Sequence, residues 1–569
     1  EDSQGRPWAT ILCGPPGEVI VATAPNCLLA SCALAAEDPF LKCLETVSVD
    51  GEARPLLFAG LGVDFSNRRR NKVSGVVARA SIAPSAQPGS RRVEMRLITN
   101  ESMGNCPKYI TVRDVRHVHR RPELDQSTLG SQPASGLLDR RCRAVINQAS
   151  TVFLATRHVD DGSGRSCSDA GLNHRGGPPG FVHVYDDAED SYIVLPDYSG
   201  NRFYQSLGNV QSDRVAGVVF PDFGTGDMLH VTGIAENLFD DEARKLLPRV
   251  SLVTRIRITG HVLLRRSLQL EMVSKERLSP YNPPVRYLAS ELEAIGDGSL
   301  HTSAGGGLPK ARLVAIAQIS SHVRAFKFKL ERPLPSYLPG NYIVLDFSGH
   351  VEHRYEHMND QRPQLLNDDF VRTWTISSVS AALDEVTCTI KLVESGAISP
   401  MLHSIRPADL HVHGLELPVL GVSGDFSCFR GGAPDCPGRM LWIAGGVGIT
   451  PFLACLEAIA RDPARATEVV LLFGCRGDDV ASARPFAQRL DHASVQVHVF
   501  DTAGQARAGD WPEHWQISHR RMDKRDVMKV DLKGCESFVC GPDAMITAVA
   551  DWLRQAGSRP EAVHLEHFF

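Results

Sequence analysis

A glycine-rich turn behind an apolar run is the strongest chemical signal in this 569-residue chain. Residues 440–444 are apolar and predict a strand, and the turn and helix start that follow contain Gly445, Gly446, Gly448, Thr450 and Pro451. Threonine is a good helix N-cap, and proline is favoured at the first helical position. A helix N-terminus behind such a turn exposes backbone N–H groups, so it suits a pyrophosphate. A tight turn without a ligand is the alternative, because the spacing differs from G-x-G-x-x-G.

A second apolar run ends in a similar way near the C-terminus. Residues 537–539 lead into Cys540, Gly541 and Pro542, and the helix predicted next is closed by Gly557 as its C-cap. Two such strand ends, adjacent in a parallel sheet, form the crevice where such sheets bind ligands. Cys540 is predicted at the mouth of this crevice, and a buried thiol that only packs is the alternative.

An upstream strand carries side chains that suit a flavin. Alternation places Arg372 and Trp374 on one face of the strand and Thr373 and Thr375 on the other. Arginine can hold a phosphate in two hydrogen bonds, an aromatic plane can pack on a flavin ring, and a hydroxyl can reach a flavin nitrogen. A surface arginine and a core tryptophan are the alternative.

A short segment beyond that strand offers another place for an anion. Gly396 comes three residues before Ser399, which is predicted to cap a helix with Pro400 at the first helical position. The positive end of the helix dipole would then face an anion.

Taken in order, these four elements resemble those of the ferredoxin–NADP reductase superfamily, a flavin-binding β-barrel followed by an NAD(P)-binding α/β domain. The family's R-x-[YF]-[ST] pattern is similar to residues 372–375, its G-x-x-S to 396–399, its G-G-x-G-x-[ST]-P to 445–451 and its C-G-P to 540–542. The chain departs from the family at Trp374, where Tyr or Phe is usual, so a hydroxyl contact to the flavin is lost.

The resemblance implies a role for each of these residues. Thr375, Cys540 and Glu566 are the implied catalytic residues, lying near the reactive flavin nitrogen, the nicotinamide and the flavin ring respectively. The resemblance also implies FAD or FMN in the barrel, NAD(P)H as the hydride donor and no metal. The implied cofactor-binding residues of this half are Arg372, Thr373, Trp374, Thr375, Gly396, Ile398, Ser399, Gly445, Gly446, Gly448, Thr450, Pro451, Arg476, Gly541, Pro542 and Phe569.

The choice between NADH and NADPH depends on residues that follow the apolar run 469–473. Arg476 could meet a 2′-phosphate, whereas Asp478 and Asp479 could accept from a ribose hydroxyl and repel that phosphate. The two signals conflict, so the sequence predicts use of either nucleotide, with helix capping by the aspartates as the alternative.

The first 290 residues contain a repeat. Gly-Pro-Pro-Gly stands at 14–17 and again at 177–180, and Asp-Phe stands at 64–65 and again at 222–223, each time eleven residues before a glycine. The same order and nearly equal spacing predict an internal duplication, with chance matches as the alternative.

Both copies resemble the pyridoxamine-phosphate-oxidase-like split barrel. The resemblance rests on residues 174–181, 195–202 and 206–209 in the second copy and on 64–72 and 104–109 in the first. Members usually bind FMN, some bind haem or a deazaflavin, and many are dimers, so two copies imply a pseudo-dimer that holds FMN. A solvated strand edge is the alternative for the arginine run. The implied phosphate contacts are Arg202, Ser206, Asn209, Arg68, Arg69 and Lys72.

Positioning these sites requires a multidomain chain. The split barrels and the flavin barrel are predicted to be β-structures, and strands alternating with helices after about residue 438 predict a parallel α/β sheet. The stretches 119–140 and 294–310 have the composition of linkers. The predicted domains are split barrel copy 1 at 1–120, split barrel copy 2 at 140–290, an antiparallel flavin-binding β-barrel at 310–431 and an NAD(P)-binding α/β domain at 432–569.

Composition excludes several classes of protein. Apolar residues make up 43% and charged residues 22% of the chain, which is typical of a soluble globular protein. The net charge of −5 gives no basic surface for nucleic acid. The uncharged stretch 440–456 is interrupted by three glycines and a proline, so a membrane span is not predicted.

The cysteines indicate a reducing compartment. Most of the 14 lie inside apolar runs, which favours free buried thiols and a cytoplasmic protein. The chain begins at Glu1 and not at Met, so the sequence leaves open whether a leader segment has been removed. Cys27 and Cys32 have the first spacing of a plant-type iron–sulfur motif, but the next cysteine is Cys43 and the chain ends at Phe569. Electrons are therefore expected to leave the flavin directly.

The leading hypothesis is an NAD(P)H-dependent flavoprotein oxidoreductase that passes electrons to an acceptor in or near the split-barrel half. The alternative is a reductase that serves a separate partner protein, with the split barrels as docking or haem- or flavin-binding modules. The physiological acceptor, a small molecule or a protein, is not visible in the sequence.

Overall fold

The computed structural model forms two compact units. The first comprises residues 1–294 and 355–368, and the second comprises 295–354 and 369–569. A multidomain, β-rich chain is thereby confirmed, whereas the four predicted domain boundaries stay a prediction. The residues that the structure describes are 1–15, 17–45, 56–128, 137–160, 162, 168–295, 308–352, 355–410, 414–424, 426–429, 438–461, 468–488, 495–505 and 511–567.

The first unit begins with an antiparallel sheet. Its elements are β1 (Ile20–Ala24), β2 (Cys27–Ala35), α1 (Pro39–Glu45), β3 (Leu56–Asp64), β4 (Arg69–Pro84) and β5 (Ser90–Asn105). The strand order is β1-β2-β5-β4-β3. Ala30, Cys32 and Leu34 of β2 are buried at alternate positions, as the two-residue period of a strand requires.

A larger antiparallel sheet follows in the same unit. Its strands, whose bounds are given at the end of this paragraph, have the order β10-β11-β14-β13-β12-β8-β9. Strand β7 pairs with β14 in addition. Strand β7 lies inside the stretch 119–140, so the prediction of a linker is wrong there: its backbone groups pair with the sheet. The elements are β6 (Val115–His117), β7 (Glu123–Ser127), α2 (Arg140–Gln148), β8 (Thr151–His158), β9 (Asp169–Gly176), β10 (His183–Asp186), β11 (Ser191–Pro196), α3 (Gln205–Asp213), β12 (Val215–Pro221), β13 (Met228–Phe239), α4 (Asp240–Leu246), β14 (Leu252–Arg265), β15 (Leu270–Met272) and α5 (Ala289–Ile295).

The two sheets share a topology that supports the predicted duplication. The order β1-β2-β5-β4-β3 corresponds strand by strand to β10-β11-β14-β13-β12, and α1 and α3 occupy corresponding connections. Both sheets have a register shift at the corresponding glycine, Gly75 or Gly233. A Cβ there would lie 2.0 or 2.1 Å from a backbone oxygen of the neighbouring strand, so each bulge requires glycine. The corresponding rings of Phe65 and Phe223 meet edge to face at 5.3 Å.

The second unit contains a closed antiparallel barrel, which confirms the prediction of a barrel in this region. Its elements are β16 (Lys310–Gln318), β17 (Val323–Leu330), β18 (Tyr342–Asp346), β19 (Val371–Val379), β20 (Glu385–Lys391), α6 (Ile398–Ser404) and β21 (Glu416–Ser423). The barrel closes in the order β16-β17-β20-β19-β18-β21. Fully buried Phe326, Phe328 and Ile343 fill its interior.

The same unit contains a six-stranded parallel sheet of order β25-β24-β23-β22-β26-β27, with the bounds given below. Residues 440–445 are all buried, as in a strand whose two faces are both covered. No described helix is long and apolar enough to cross a membrane. The elements are β22 (Arg439–Gly445), α7 (Thr450–Arg461), β23 (Glu468–Cys475), α8 (Arg484–Gln488), β24 (Val495–Asp501), β25 (Gln516–Ser518), α9 (Lys524–Met528), β26 (Glu536–Gly541), α10 (Asp543–Gln555) and β27 (Val563–His567).

Candidate functional site

The two predicted strand ends lie side by side in the second unit. Strands β22 and β26 pair in parallel, with Ala444 opposite Cys540, so Gly445 and Gly541 reach the same edge of the sheet. Carboxyl ends of parallel strands form the crevice in which such sheets bind ligands. The structure therefore brings together both halves of the crevice that the sequence predicted.

Glycine is needed at this edge because the two strand ends approach each other closely. A Cβ on Gly448 would lie 2.3 Å from the carbonyl oxygen of Cys540, and one on Gly541 would lie 3.0 Å from the Cα of Gly445. Gly446 differs, because its Cβ would meet nothing within 4 Å although its φ is +55°. A side chain would therefore find open space at Gly446, whereas Gly448 and Gly541 are closely packed.

The helix behind the turn starts differently from the prediction. A 3₁₀ turn, Gly446–Ile449, runs directly into α7, and Thr450 is the first helical residue. The Thr450 N–H donates to the carbonyl of Val447, so this turn satisfies it. The prediction of Thr450 as N-cap and Pro451 as first helical residue is therefore wrong by one position.

The end of β26 matches the sequence more closely. Pro542 precedes α10, and Gly557, with φ +88°, follows the helix in the left-handed conformation that was predicted for its C-terminal end. Cys540 is completely buried, and burial raises the pKa of its thiol, with a further contribution from the Glu566 carboxylate. Glu566 lies directly across from Cys540 on β27. Phe569 lies outside the described residues.

Strand β19 presents the predicted flavin contacts. Trp374 packs with the barrel cluster and meets Phe347 edge to face at 5.4 Å, while Arg372 is partly exposed and its Nη1 donates to the carbonyl of Val371. Thr373 is exposed and Thr375 is buried. The tryptophan thus contacts the core, as the alternative interpretation of the sequence had it.

Helix α7 joins the crevice to this strand within the second unit. The helix packs against β19, and Nη2 of Arg461 at its end donates to the carbonyl of Val379, 2.6 Å away. The Cys455 thiol lies 3.9 Å from the carbonyl oxygen of Pro339, near the start of β18. The helix that begins at the glycine turn therefore rests on the strand that carries Arg372 and Thr375.

The segment from Gly396 to Ser399 departs from its predicted geometry. Helix α6 begins at Ile398, which is buried in the barrel cluster, so Ser399 is inside the first turn and Ala397 is the N-cap. The Ser399 hydroxyl accepts from the N–H of Val393 at 3.0 Å. The prediction that Ser399 caps the helix is wrong, because its hydroxyl bonds to the preceding loop.

The residues after β23 separate into two groups. The side chain of Arg476 is exposed and forms no hydrogen bond or ion pair with another described residue, while its carbonyl accepts from the N–H of Asp479. The carboxylates of Asp478 and Asp479 form hydrogen bonds to the barrel. Asp478 accepts from Ser321, and Asp479 accepts from Ser320 and Lys391. The sequence suggested that the aspartates meet a ribose, but their oxygens bond to the barrel.

The predicted phosphate contacts of the first unit do not form a cradle for a phosphate. Ser206 is buried and bonds to Thr156 and to Asn173, and the Asn209 amide donates to the Asp169 carboxylate at 3.4 Å. A phosphate there would meet that carboxylate, so these side chains do not fit FMN.

The four cations predicted beside them differ in their burial and in their partners. Arg202 is exposed, with its guanidinium 3.6 Å from the ring centroid of Tyr355. Arg69 is exposed and Arg68 is half-buried in a left-handed turn, φ +62°. Only Lys72, the fourth cation, is buried among the polar groups of β9 and α3.

Lys72 has partners that the sequence did not indicate. Its Nζ donates to the side-chain oxygens of Asn173 and Gln205, at 3.2 and 2.6 Å. Burial lowers the pKa of this amine to about 8, against a smaller opposing effect of Asp169. Uncharged amides more than a hundred residues away give no local signal, which is why sequence reasoning missed them.

Comparison with known proteins bears on the C-terminal part. Residues 442–551 match the family model described as the oxidoreductase NAD-binding domain. The glycine betaine monooxygenase reductase subunit of Pseudomonas aeruginosa is 27% identical over 262 residues, which are 45% of this chain and 63% of that protein. The ferredoxin reductase component of 3-ketosteroid-9-alpha-monooxygenase of Mycolicibacterium smegmatis is 28% identical over 203 residues, 35% of this chain and 50% of that protein.

A solved structure is also similar in part. The flavohemoglobin of Malassezia yamatoensis, with bound FAD and haem, has a TM-score of 0.34 and 19% identity, covering 46% of this chain and 60% of its own. The chain thus spans less than two thirds of each of these three proteins. The domain match agrees with the prediction of a nicotinamide-nucleotide domain in the C-terminal part, and the chain is similar to these curated reductase subunits and components over part of its length. The split-barrel resemblance of the first 290 residues stays a prediction.

Proposed function

We propose that the chain is an NAD(P)H-dependent flavoprotein reductase that passes electrons to a separate acceptor protein. The domain at 432–569 binds the nicotinamide nucleotide and the barrel at 310–431 binds FAD. The observation that carries the proposal is the contact of α7, which begins at the glycine crevice, with β19, which carries Arg372 and Thr375. Both cofactor sites thereby share one packed body.

The side chains present fit these cofactors by their chemistry. Bound FAD would accept a hydride from the reduced nicotinamide and release electrons to the acceptor. Arg372 supplies a guanidinium for the flavin phosphates, and Thr375 supplies a hydroxyl toward the flavin ring. The Ser399 hydroxyl would bind a phosphate in exchange for its bond to the carbonyl of Val393. Gly446 leaves space for the pyrophosphate of the nucleotide.

Cys540 and Glu566 have complementary roles at the end of the sheet. Because burial raises the pKa of Cys540, its thiol stays protonated at neutral pH and packs as a neutral group in the core directly behind the strand end. The Glu566 carboxylate, on the neighbouring strand, is half-buried beside it. We assign Cys540 to contact the nicotinamide and Glu566 to approach the flavin ring, with Phe569 following it in the chain.

NADPH is the nucleotide that the local charges favour. Arg476 lies exposed just after β23, where the 2′-phosphate of a nucleotide bound at this sheet is expected. The two aspartates that would repel that phosphate bond to barrel residues. The surface near Arg476 therefore offers a cation for the phosphate.

Two observations favour a separate acceptor over a second flavin in the first unit. The curated relatives named above are reductase subunits or components of monooxygenases, and this chain is proposed to serve an oxygenase in the same way. The Asn209 amide donates to Thr156 and to the Asp169 carboxylate, and the Ser206 hydroxyl accepts from Thr156 and Asn173, so a phosphate placed there would meet the charge of Asp169. The first unit then serves as a docking module.

Flavin analysis of the whole chain tests the proposal. We expect FAD to be released on denaturation, and anaerobic NADPH to bleach the protein with two electrons per chain. A colourless protein, or a flavin that NADPH does not reduce, would refute the proposed function. An uptake of four electrons per chain would place a second redox group in the protein and favour an acceptor within the first unit.

A further inference from the structure

A partly buried ion pair joins the proposed nucleotide-binding sheet to the barrel inside the second unit. The Asp479 carboxylate accepts from the Lys391 Nζ at 2.7 Å and from the Ser320 hydroxyl at 2.6 Å. Asp479 is 4% exposed, whereas Lys391 keeps 39% of its side chain in solvent. Beside it, Asp478 accepts from the N–H and the hydroxyl of Ser321, and this second contact is exposed.

The partners lie next to the segments proposed to hold the cofactors. Asp479 is three residues beyond Arg476, in the turn Gly477–Ala483 that follows β23. Lys391 is the last residue of β20, five residues before Gly396 of the segment proposed for the flavin phosphates. The pair therefore joins the loop that would hold the adenosine end of the nucleotide to the loop that would hold the flavin.

The pair also complements the second attachment between sheet and barrel. Helix α7 fixes the sheet to the barrel through Arg461 and the carbonyl of Val379. The packing of α7 on β19 and the contact of Cys455 with Pro339 hold the sheet on the side of that helix, and the Asp479 pair adds a contact from a different element, the turn after β23. A carboxylate with a charged and a neutral donor is directional, because both of its oxygens are used.

We propose that Asp479 is a positioning residue for hydride transfer, held by Lys391 and Ser320. This inference rests on the proposed function. The reaction is the transfer of one hydride, with its two electrons, from the reduced nicotinamide to the oxidised flavin, which leaves an oxidised nicotinamide. The pair fixes the distance between the two rings and takes no part in the electron transfer itself. A misplacement of about 1 Å can slow such a step about a hundredfold.

The test is the limiting rate constant of flavin reduction at saturating NADPH, measured anaerobically by stopped flow on the full chain. We expect Asp479→Asn and Lys391→Met to lower it about ten- to a hundredfold, while flavin content is retained and the dissociation constant of NADPH changes less. Lys391→Arg keeps the charge and should recover most of the rate. Lys329→Met is the matched control, because Lys329 pairs with Asp384 within the barrel and is 40% exposed.

Each outcome distinguishes the inference from the proposed function. If the wild-type flavin is absent or is not reduced, the proposed function fails. If the wild type is reduced normally and Lys391→Met keeps the wild-type rate, the positioning role alone fails. A loss of rate that merely parallels loss of flavin, or that Lys329→Met reproduces, would also overturn the positioning role. Lys391 is largely on the surface, so its variants give an answer even if Asp479→Asn does not fold.

Discussion

Replacing Gly448 by alanine probes the close approach on which the crevice depends. The new Cβ would lie 2.3 Å from the carbonyl oxygen of Cys540 and 2.8 Å from the backbone nitrogen of Gly541. Both are backbone atoms of β26, so relief requires a shift of about 0.7 Å by the strand or by the turn, and not a side-chain rotation. Overpacking of this kind costs about 1–3 kcal/mol, and we expect the upper end because the backbone itself must move.

Gly446→Ala is the control that separates packing from ligand binding. Its Cβ would meet no protein atom within 4 Å, so only the left-handed φ of +55° is penalised, by about 1–2 kcal/mol. If the crevice receives the pyrophosphate, however, the methyl group reaches into it. We therefore expect Gly446→Ala to weaken NADP⁺ binding at least tenfold, which is about 1.4 kcal/mol.

Two measurements decide the matter. Urea unfolding, monitored by tryptophan fluorescence to which buried Trp442 on β22 contributes, reports the loss of stability, and calorimetric titration with NADP⁺ reports binding. Gly448→Ala should lower the free energy of unfolding more than Gly446→Ala does. An unchanged unfolding midpoint for Gly448→Ala would refute the packing argument, and wild-type affinity in Gly446→Ala would refute the placement of the nucleotide.

Three further predictions follow from the polar and charged groups. Arg476→Ala should weaken NADPH binding about ten- to a hundredfold, because a charged hydrogen bond of about 1.5–3 kcal/mol is lost, and should leave NADH binding unchanged; comparing both dissociation constants checks it. Lys72 has a pKa of about 8 in the folded protein and 10.5 otherwise, so the unfolded chain binds more protons between these values and stability should rise with pH across that window. The free energy of unfolding should be higher at pH 9.5 than at pH 7.5 in the wild type, and this difference should be lost in Lys72→Met. The same change of stability with pH in both proteins would contradict the prediction. Cys540 should react with an alkylating reagent only after unfolding, because it is buried and its pKa is raised; mass spectrometry of the labelled folded protein would reveal the opposite.

The duplication shows how far a repeated pattern can be interpreted. Two short anchors were sufficient to align the halves of the first 290 residues, and the strand order of the two sheets agrees with that alignment. Gly75 and Gly233 explain why the anchors persist in both halves, since each leaves room for a backbone oxygen of the next strand. The alignment did not reveal β8 and β9, which are additional strands in the second sheet.

Local patterns determined the elements of the second unit. Apolar runs fixed β22 and β26, and Gly557 fixed the end of α10, because each depends on residues within one turn or one strand. Helix starts were less predictable. Thr450 and Ser399 are both residue types that often cap helices. A 3₁₀ turn precedes Thr450 and makes it the first helical residue, and the N–H of Val393 binds the Ser399 hydroxyl.

Tertiary structure alone decided how the side chains are paired. By sequence, Asp478 and Asp479 could equally have faced a ribose, and only the folded barrel presents Ser321 to Asp478 and Ser320 and Lys391 to Asp479. Lys72 could equally have met a phosphate, and its partners Asn173 and Gln205 come from a strand and a helix more than a hundred residues away. The sequence by itself determined strands, turns and the order of the motifs, because these follow from near neighbours. Which charged side chains are paired, and which, like that of Arg476, stay exposed, depends on distant residues that only folding brings together.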